Sequence, residues 1–359
     1  MIILYILLLL VSFYILAIVC ERYFVQSLQI IGNKLRLSDD VVGATLMAAG
    51  SSAPELFTSL IATFTIGAED IGAGTIVGSA IFNILIIIGA SAYVATAKLK
   101  WQPVIRDLLV YILAIGLLFF TFRDGRVTLT EVSLYLGLYA AYIILLSQWK
   151  RITGSDKASN SLTDISDQVE NIEHDLEKNK VGWRFTLYVI DNIVDKFFPD
   201  LNKRPQLYGI TFAISIVIII ALSWILVESA VGVAHILSIP QAIIALTILA
   251  AGTSIPDLIS SIVVARQGKS DMAISNATGS NIFDILFGLG LPWAIFTLVH
   301  GESLVVATEN INSSVILLLA SAIAIIAILI IARFKIGKKI GVSLMAVYLG
   351  YVLYTIYLI

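Results

Sequence analysis

The chain has 359 residues, 58% of them hydrophobic and 13% charged, with a mean hydropathy of +0.95. That is about half the charged fraction of an ordinary soluble domain, which excludes a water-soluble globular protein and indicates a polytopic membrane protein. The single cysteine, Cys20, excludes an intrachain disulfide, and the net charge of −2 matters less than where the charges lie.

Apolar runs of about 20 residues, enough to cross a hydrocarbon core, are predicted near 2–26, 40–64, 71–96, 103–122 and 129–148. They resume near 207–234, 240–265, 271–298, 310–333 and 340–358. The expected fold is all-α and integral to the membrane, with ten transmembrane helices as two inverted-topology repeats of five. The first repeat covers 1–148, a cytoplasmic loop covers 149–205, and the second repeat covers 206–359. The opening run, "MIILYILLLLVSFYILAIVC", lacks a basic leader and is too long for a signal core. Val19 stands before Cys20 where a lipoprotein needs a small residue. The run therefore reads as a retained first helix with its N-terminus outside.

Basic residues then orient the chain. Arg22, Lys34, Arg36, Lys98, Lys100, Arg106, all those from Lys150 to Arg204, Arg266, Lys269, Arg333, Lys335, Lys338 and Lys339 fall inside. Only Arg123 and Arg126 fall outside. The expectation is a multi-pass protein of the cell membrane, with both termini outside and the 149–205 loop cytoplasmic. Within that loop, Leu162, Ile165, Val169, Ile172 and Leu176 follow coiled-coil spacing among acidic residues. No EF-hand pattern is present, so this reads as a short helix packing on a neighbour. Further on, Trp183, Leu187, Ile190, Val194 and Phe197 mark one face of a helix lying along the membrane surface.

The chain also repeats itself. "TLMAAGSSAPE" at 45–55 matches "TILAAGTSIPD" at 247–257, and "GSAIFNIL" at 78–85 matches "GSNIFDIL" at 279–286. Five spans separate the copies, so they enter the membrane in opposite directions. Inverted repeats with broken helices commonly place a substrate site near the bilayer midplane. The site motifs occupy 43–64 and 71–90 in one repeat, and 242–265 and 271–293 in the other.

A carboxylate in mid-span costs at least about 2.5 kcal/mol, and a proline there breaks the helix. Glu55 beside Pro54 and Asp257 beside Pro256 incur both penalties, which points to a site. Ser51 and Ser52 lie four and three residues before Glu55, and so share its helix face, as Thr253 and Ser254 do with Asp257. Ser79 lies four before Asn83, and Ser280 four before Asp284. The prolines add freed backbone carbonyls, tolerable at this depth where they line a cavity. All these ligands are oxygens, which selects hard cations such as Ca²⁺ and Na⁺ over zinc or copper. Glu21, Asp107 and Glu131 lie near helix ends and read as interfacial, and Glu228 lies towards the outer end of the sixth span. Glycines such as Gly50, Gly72, Gly74, Gly252 and Gly288 read as points of close helix approach.

The strings "GSSAPELF", "GTIVGSAIFNIL", "GTSIPDLISS" and "SDMAISNATGSNIFDILFGLGLPW" resemble the repeats of the cation/calcium exchanger superfamily. They resemble most closely its potassium-dependent sodium/calcium exchanger branch. The resemblance implies that Glu55 and Asp257 are the principal Ca²⁺ ligands, helped by carbonyls near Ser51 and Thr253. It implies that Asn83, Asp284, Ser52, Ser79, Ser254 and Ser280, with the carbonyls of Ala48 and Ala250, line surrounding sodium sites. The first and sixth helices would slide across a rigid bundle to expose the site alternately. The implied activity is antiport of Na⁺ for Ca²⁺, with or without K⁺, using inorganic cations as substrates and no cofactor. No nucleic-acid partner is expected, and no protein partner is indicated. A Ca²⁺/H⁺ antiporter is the nearest alternative, and a calcium-permeable channel is the alternative of another class. An intramembrane aspartyl protease leaves Glu55 unexplained, so no enzyme is expected.

Overall fold

The computed structural model describes residues 1–35, 45–46, 48–65, 68–153, 184–199, 201, 204–266, 270–306 and 311–357. Nine helices among the described residues are long and apolar enough to cross a membrane. The remaining expected span, near 40–64, falls partly outside the described residues, and its described part is helical over Ala48–Ser51 and Ala53–Phe64.

In chain order the helices are α1 (Ile2–Lys34), α2 (Ala48–Ser51), α3 (Ala53–Phe64), α4 (69–94), α5 (Trp101–Thr121) and α6 (Leu129–Thr153). They continue as α7 (Arg184–Asp195), α8 (Tyr208–Leu237), α9 (241–253), α10 (Ile255–Arg266), α11 (270–300), α12 (Asn312–Ile331) and α13 (Lys338–Tyr357). Helix α1 runs eight residues beyond its expected end near residue 26. Its polar continuation is amphipathic, with Val25, Ser27, Leu28 and Gly32 buried. At 33 residues it is about 50 Å long, and α8 at 30 residues about 45 Å. Both exceed a hydrocarbon core of about 30 Å, so both cross it tilted. The start of α6 is fixed by a reciprocal cap: Thr128 donates to Glu131 Oε2 from its N–H at 2.8 Å and from its Oγ1 at 2.7 Å.

Among the described residues, four two-residue strands tie the connections together. β1 (Ala97–Lys98) pairs antiparallel with β4 (Lys335–Ile336), and β2 (Arg126–Val127) with β3 (Leu304–Val305). Each pair joins the link after the third helix of one half to the link between the last two helices of the other. The exchange is reciprocal, as expected if the halves are related by a two-fold axis.

The apolar interior divides in two. The larger core is built by α4, α5, α6, α11, α12 and α13, around residues such as Tyr111, Tyr135, Phe283 and Trp293. The smaller core holds α1 and α8 against each other, with Ala53 and Ala62 of α3 and Ile244, Ala245 and Leu249 of 241–253. Leu113, Leu134, Ile220, Ile323 and Leu349, on outward faces, are exposed, as suits contact with lipid tails.

Helix α7 docks on α1. Asp191 accepts a hydrogen bond from Tyr14 at 2.8 Å and lies 3.7 Å from Arg22, while Asp195 accepts from Tyr23. Val194 and Phe198 are buried there, and Phe198 stacks on Tyr23 with ring centroids 3.8 Å apart. Of the residues expected on the face along the membrane surface, Val194 is buried and Phe197 is exposed, and the helix ends at Asp195, before Phe197. The coiled-coil pattern from Leu162 to Leu176, and Trp183, lie outside the described residues.

Candidate functional site

Two helix breaks build the site. Ser52 (φ −92°, ψ 13°) separates α2 from α3, and Ser254 (φ −90°, ψ 0°) separates α9 from α10. Both occupy the sparsely populated bridge region between helical and extended backbone. Pro54 and Pro256 follow in the first turn, where a missing N–H is harmless to the new helix. It also deprives the carbonyls of Gly50 and Gly252 of their usual amide donors. Glu55 and Asp257 then fall in the first turn of α3 and α10, where the helix dipole favours negative charge.

The companion helices bring their residues opposite these breaks. Asn83 opens a π-helical stretch (Asn83–Ile87), and Asp284 opens its counterpart (Asp284–Leu289). Such widened turns are frequent at functional sites. Each half crosses to the other through serines. Ser52 Oγ lies 2.8 Å from Ser280 Oγ, and Ser79 Oγ lies 2.9 Å from Ser254 Oγ. These contacts are mirror images under the repeat. Ser254 donates to Glu55 Oε1 at 3.3 Å, and Ser280 to Asp257 Oδ2 at 3.5 Å.

What remains is an excess of acceptors. Glu55 Oε2, Asn83 Oδ1 and both carboxylate oxygens of Asp284 are buried with no hydrogen-bond partner. A buried acceptor left unmet costs about 1–3 kcal/mol, and more when charged. Buried oxygen atoms of this kind, shielded from water, suit a hard cation. No group of three His, Cys, Asp or Glu residues is gathered into a metal cluster among the described residues. The acids are interleaved with hydroxyls instead.

The remaining expected ligands are engaged within their own helices. Ser51 Oγ donates to the Ala48 carbonyl at 3.3 Å, which also accepts from Ser52 N at 2.9 Å. Thr253 Oγ1 donates to the carbonyls of Leu249 at 3.0 Å and Ala250 at 3.4 Å, and Ala250 also accepts from Ser254 N at 3.3 Å. The structure therefore joins these residues in two hydrogen-bonded groups, Glu55 with Ser254 and Ser79, and Asp257 with Ser280 and Ser52. Asn83 and Asp284 supply unpaired oxygens, whereas Ser51, Thr253, Ala48 and Ala250 bond along the helices.

One residue of the neighbourhood escaped sequence reasoning. Asn281 is fully buried and accepts from Asn83 Nδ2 at 2.8 Å. Its signal was the second difference between "GSAIFNIL" and "GSNIFDIL", where Ala80 stands opposite Asn281. The other acids have local explanations. Asp107 is buried, paired with Arg106 at 2.7 Å and bonded by Tyr142 at 3.1 Å. Glu228 is exposed on α8.

Comparison with known proteins identifies the family and the fold. The human sodium/potassium/calcium exchanger 5 is 32% identical, with 97% of this chain and 82% of that protein covered. The mouse sodium/potassium/calcium exchanger 4 is 28% identical, over 96% of this chain and 79% of that protein. Among solved structures, the sodium-calcium exchanger NCX_Mj shares the fold with a TM-score of 0.57 at 23% identity, covering 97% of this chain and 98% of its own. The H⁺/Ca²⁺ exchanger CAX does so with a TM-score of 0.70 at 15% identity, covering 97% and 82%. The sequence pattern of the sodium/calcium exchanger proteins matches residues 5–148 and 207–357. The chain is thus a multi-pass membrane transporter, not an enzyme, and it belongs to the sodium/calcium exchanger protein family.

Proposed function

We propose that this protein exchanges Na⁺ for Ca²⁺ across the cell membrane by alternating access, with K⁺ accompanying the calcium. The observation that carries the reading is the set of unpaired, buried oxygens on Glu55, Asn83 and Asp284, facing the serine-linked breaks. Glu55 and Asp257 serve as the principal calcium ligands, and Ser52, Ser79, Asn83, Ser254, Ser280 and Asp284 complete the sodium positions. Binding either cation to shared carboxylates makes occupancy exclusive, and a bare trianionic cavity is costly to carry through apolar surroundings. Exchange follows from that requirement, and leak through an open channel does not. The separate core around α1 and α8 supports the idea that this pair moves against the larger bundle. The 149–205 loop and its helix α7 lie on the cytoplasmic side.

Potassium enters through charge balance. Glu55, Asp257 and Asp284, all ionised, carry −3, and Ca²⁺ leaves one charge uncompensated. K⁺ beside the calcium restores neutrality, and so does a proton. The relatives named as sodium/potassium/calcium exchangers favour K⁺. The fold shared with an H⁺/Ca²⁺ exchanger keeps proton coupling as the second reading. The deciding measurement is calcium uptake into vesicles carrying the purified protein. An outward Na⁺ gradient should drive uptake, and external K⁺ should stimulate it. Uptake driven by a pH gradient with no sodium requirement would establish the second reading instead.

A further inference from the structure

The matched motifs at 78–85 and 279–286 differ at two positions, and only one of these carries a charge. Asp284 stands opposite Asn83, while Asn281 stands opposite Ala80. The structure links the second difference to the first. Asn281 is fully buried, and so are Asn83 and Tyr111. Its Nδ2 donates to the Ala80 carbonyl at 3.1 Å and to the Tyr111 hydroxyl at 3.1 Å. Its Oδ1 accepts from Asn83 Nδ2 at 2.8 Å.

This network has a direction. The Ala80 carbonyl can only accept, so the Asn281 side chain must present its NH₂ group there. Its oxygen is thereby committed to Asn83. That oxygen can only accept, so Asn83 must turn its own NH₂ towards Asn281. The carbonyl oxygen of Asn83 is left pointing away, buried and without a hydrogen-bond partner. An asparagine free to flip would offer a cation either an oxygen, which binds, or an NH₂, which repels.

We infer that Asn281 is a positioning residue that fixes the Asn83 amide with its oxygen towards the transported cation. Asn281 does not itself touch the cation. It reads the backbone of Ala80, one turn before Asn83, and returns that reference to the Asn83 side chain. A small residue in the first repeat and an amide in the second are both needed. The alanine leaves its carbonyl approachable, and the asparagine spans the gap between α4 and α11. This inference rests on Asn83 serving as a cation ligand in the exchange proposed above.

The test compares Asn281→Leu with Asn281→Asp in vesicles, measuring sodium-driven calcium uptake over a range of Na⁺ and Ca²⁺ concentrations. Leucine fills a similar volume but offers Asn83 no acceptor, whereas aspartate in its protonated form donates to the Ala80 carbonyl and keeps an oxygen facing Asn83. For the leucine variant the half-saturating cation concentration should rise at least fivefold, with maximal flux within about twofold. The aspartate variant should stay within twofold on half-saturation. If leucine prevents assembly in the membrane, Asn281→Ser, too short to reach Asn83, replaces it in the same assay with the same expectation. Unchanged half-saturation with reduced maximal flux would show a packing role only and overturn the inference. A Glu55→Gln control keeps the two readings apart. Calcium uptake surviving in that control would remove the site itself. Its loss there, with normal half-saturation in Asn281→Leu, would remove only the positioning role.

Discussion

In the proposed exchange, neutralising Glu55 or Asp257 would delete the strongest cation ligand of each half while changing almost no volume. Glu55→Gln and Asp257→Asn should therefore each abolish calcium uptake while the protein still reaches the membrane and keeps its thermal stability without calcium. Near-normal sodium-driven flux in either variant would remove that residue from the site. Asp284→Asn makes the second repeat match the first and lowers the cavity charge from −3 to −2, which Ca²⁺ alone balances. Calcium uptake in this variant should proceed with K⁺ replaced by a large inert cation, whereas the unmodified protein should lose activity on that replacement. Equal flux of the unmodified protein with and without K⁺ would favour a proton on Asp284. At this scale the candidate site was legible where residues are expensive. A buried carboxylate beside a proline has no cheap structural reason, so Glu55 and Asp257 stood out from the sequence. Asn281 did not, because one amide in a helix is ordinary until its partners across the chain are known. Ser51 and Thr253 share a helix face with the acids, and their hydroxyls also bond local carbonyls.

Between elements, the tolerances are set by where helices touch without side chains. Gly78 of α4 lies against α9, and a Cβ added there would fall 2.4 Å from the Leu246 carbonyl oxygen and 2.6 Å from Ala250 Cβ. Backbone cannot yield cheaply, so Gly78→Ala should cost about 1–3 kcal/mol through overpacking. Gly252 of α9 is different. A Cβ there would meet the Phe13 ring of α1 at 2.3 Å, and a ring at the end of a side chain can turn aside. Gly252→Ala should therefore lose less stability but slow transport, because it roughens the surface over which α1 would move. Thermal unfolding in detergent together with turnover in vesicles separates the two variants. Equal losses of stability would contradict the distinction. Element lengths were read less well than element positions. The end of α1 was missed because "QSLQIIGNK" is too polar to register as a span, although its alternation buries one side. The α7 helix stops at Asp195, before Phe197, so the run of apolar positions read from the sequence extends beyond the helix.

For the whole molecule, the expected count and direction of crossings rest on two independent patterns, hydropathy and basic residues, and the short strands add a third constraint. The β2–β3 pair requires the links around Asp124 and Glu302 to lie on one face of the membrane. The β1–β4 pair requires those around Lys98 and Lys335 to share a face as well. A sequence cannot announce such pairings, since two-residue strands carry no periodicity. They nevertheless join links that the basic residues had already assigned to the same sides, with Arg126 among the outer few and Lys335 among the inner many. This allows a direct test, helped by burial of the one native thiol, Cys20, which should stay silent to polar reagents. Single cysteines at exposed Asp124 and Glu302 should react with a membrane-impermeant maleimide on intact cells. Cysteines at exposed Lys335 and Lys339 should react only after permeabilisation. Labelling of 124 and 302 from opposite faces would break the strand pairing and the inverted plan with it. Labelling of all four with the two faces exchanged would leave the plan intact and reverse the orientation, placing the 149–205 loop outside.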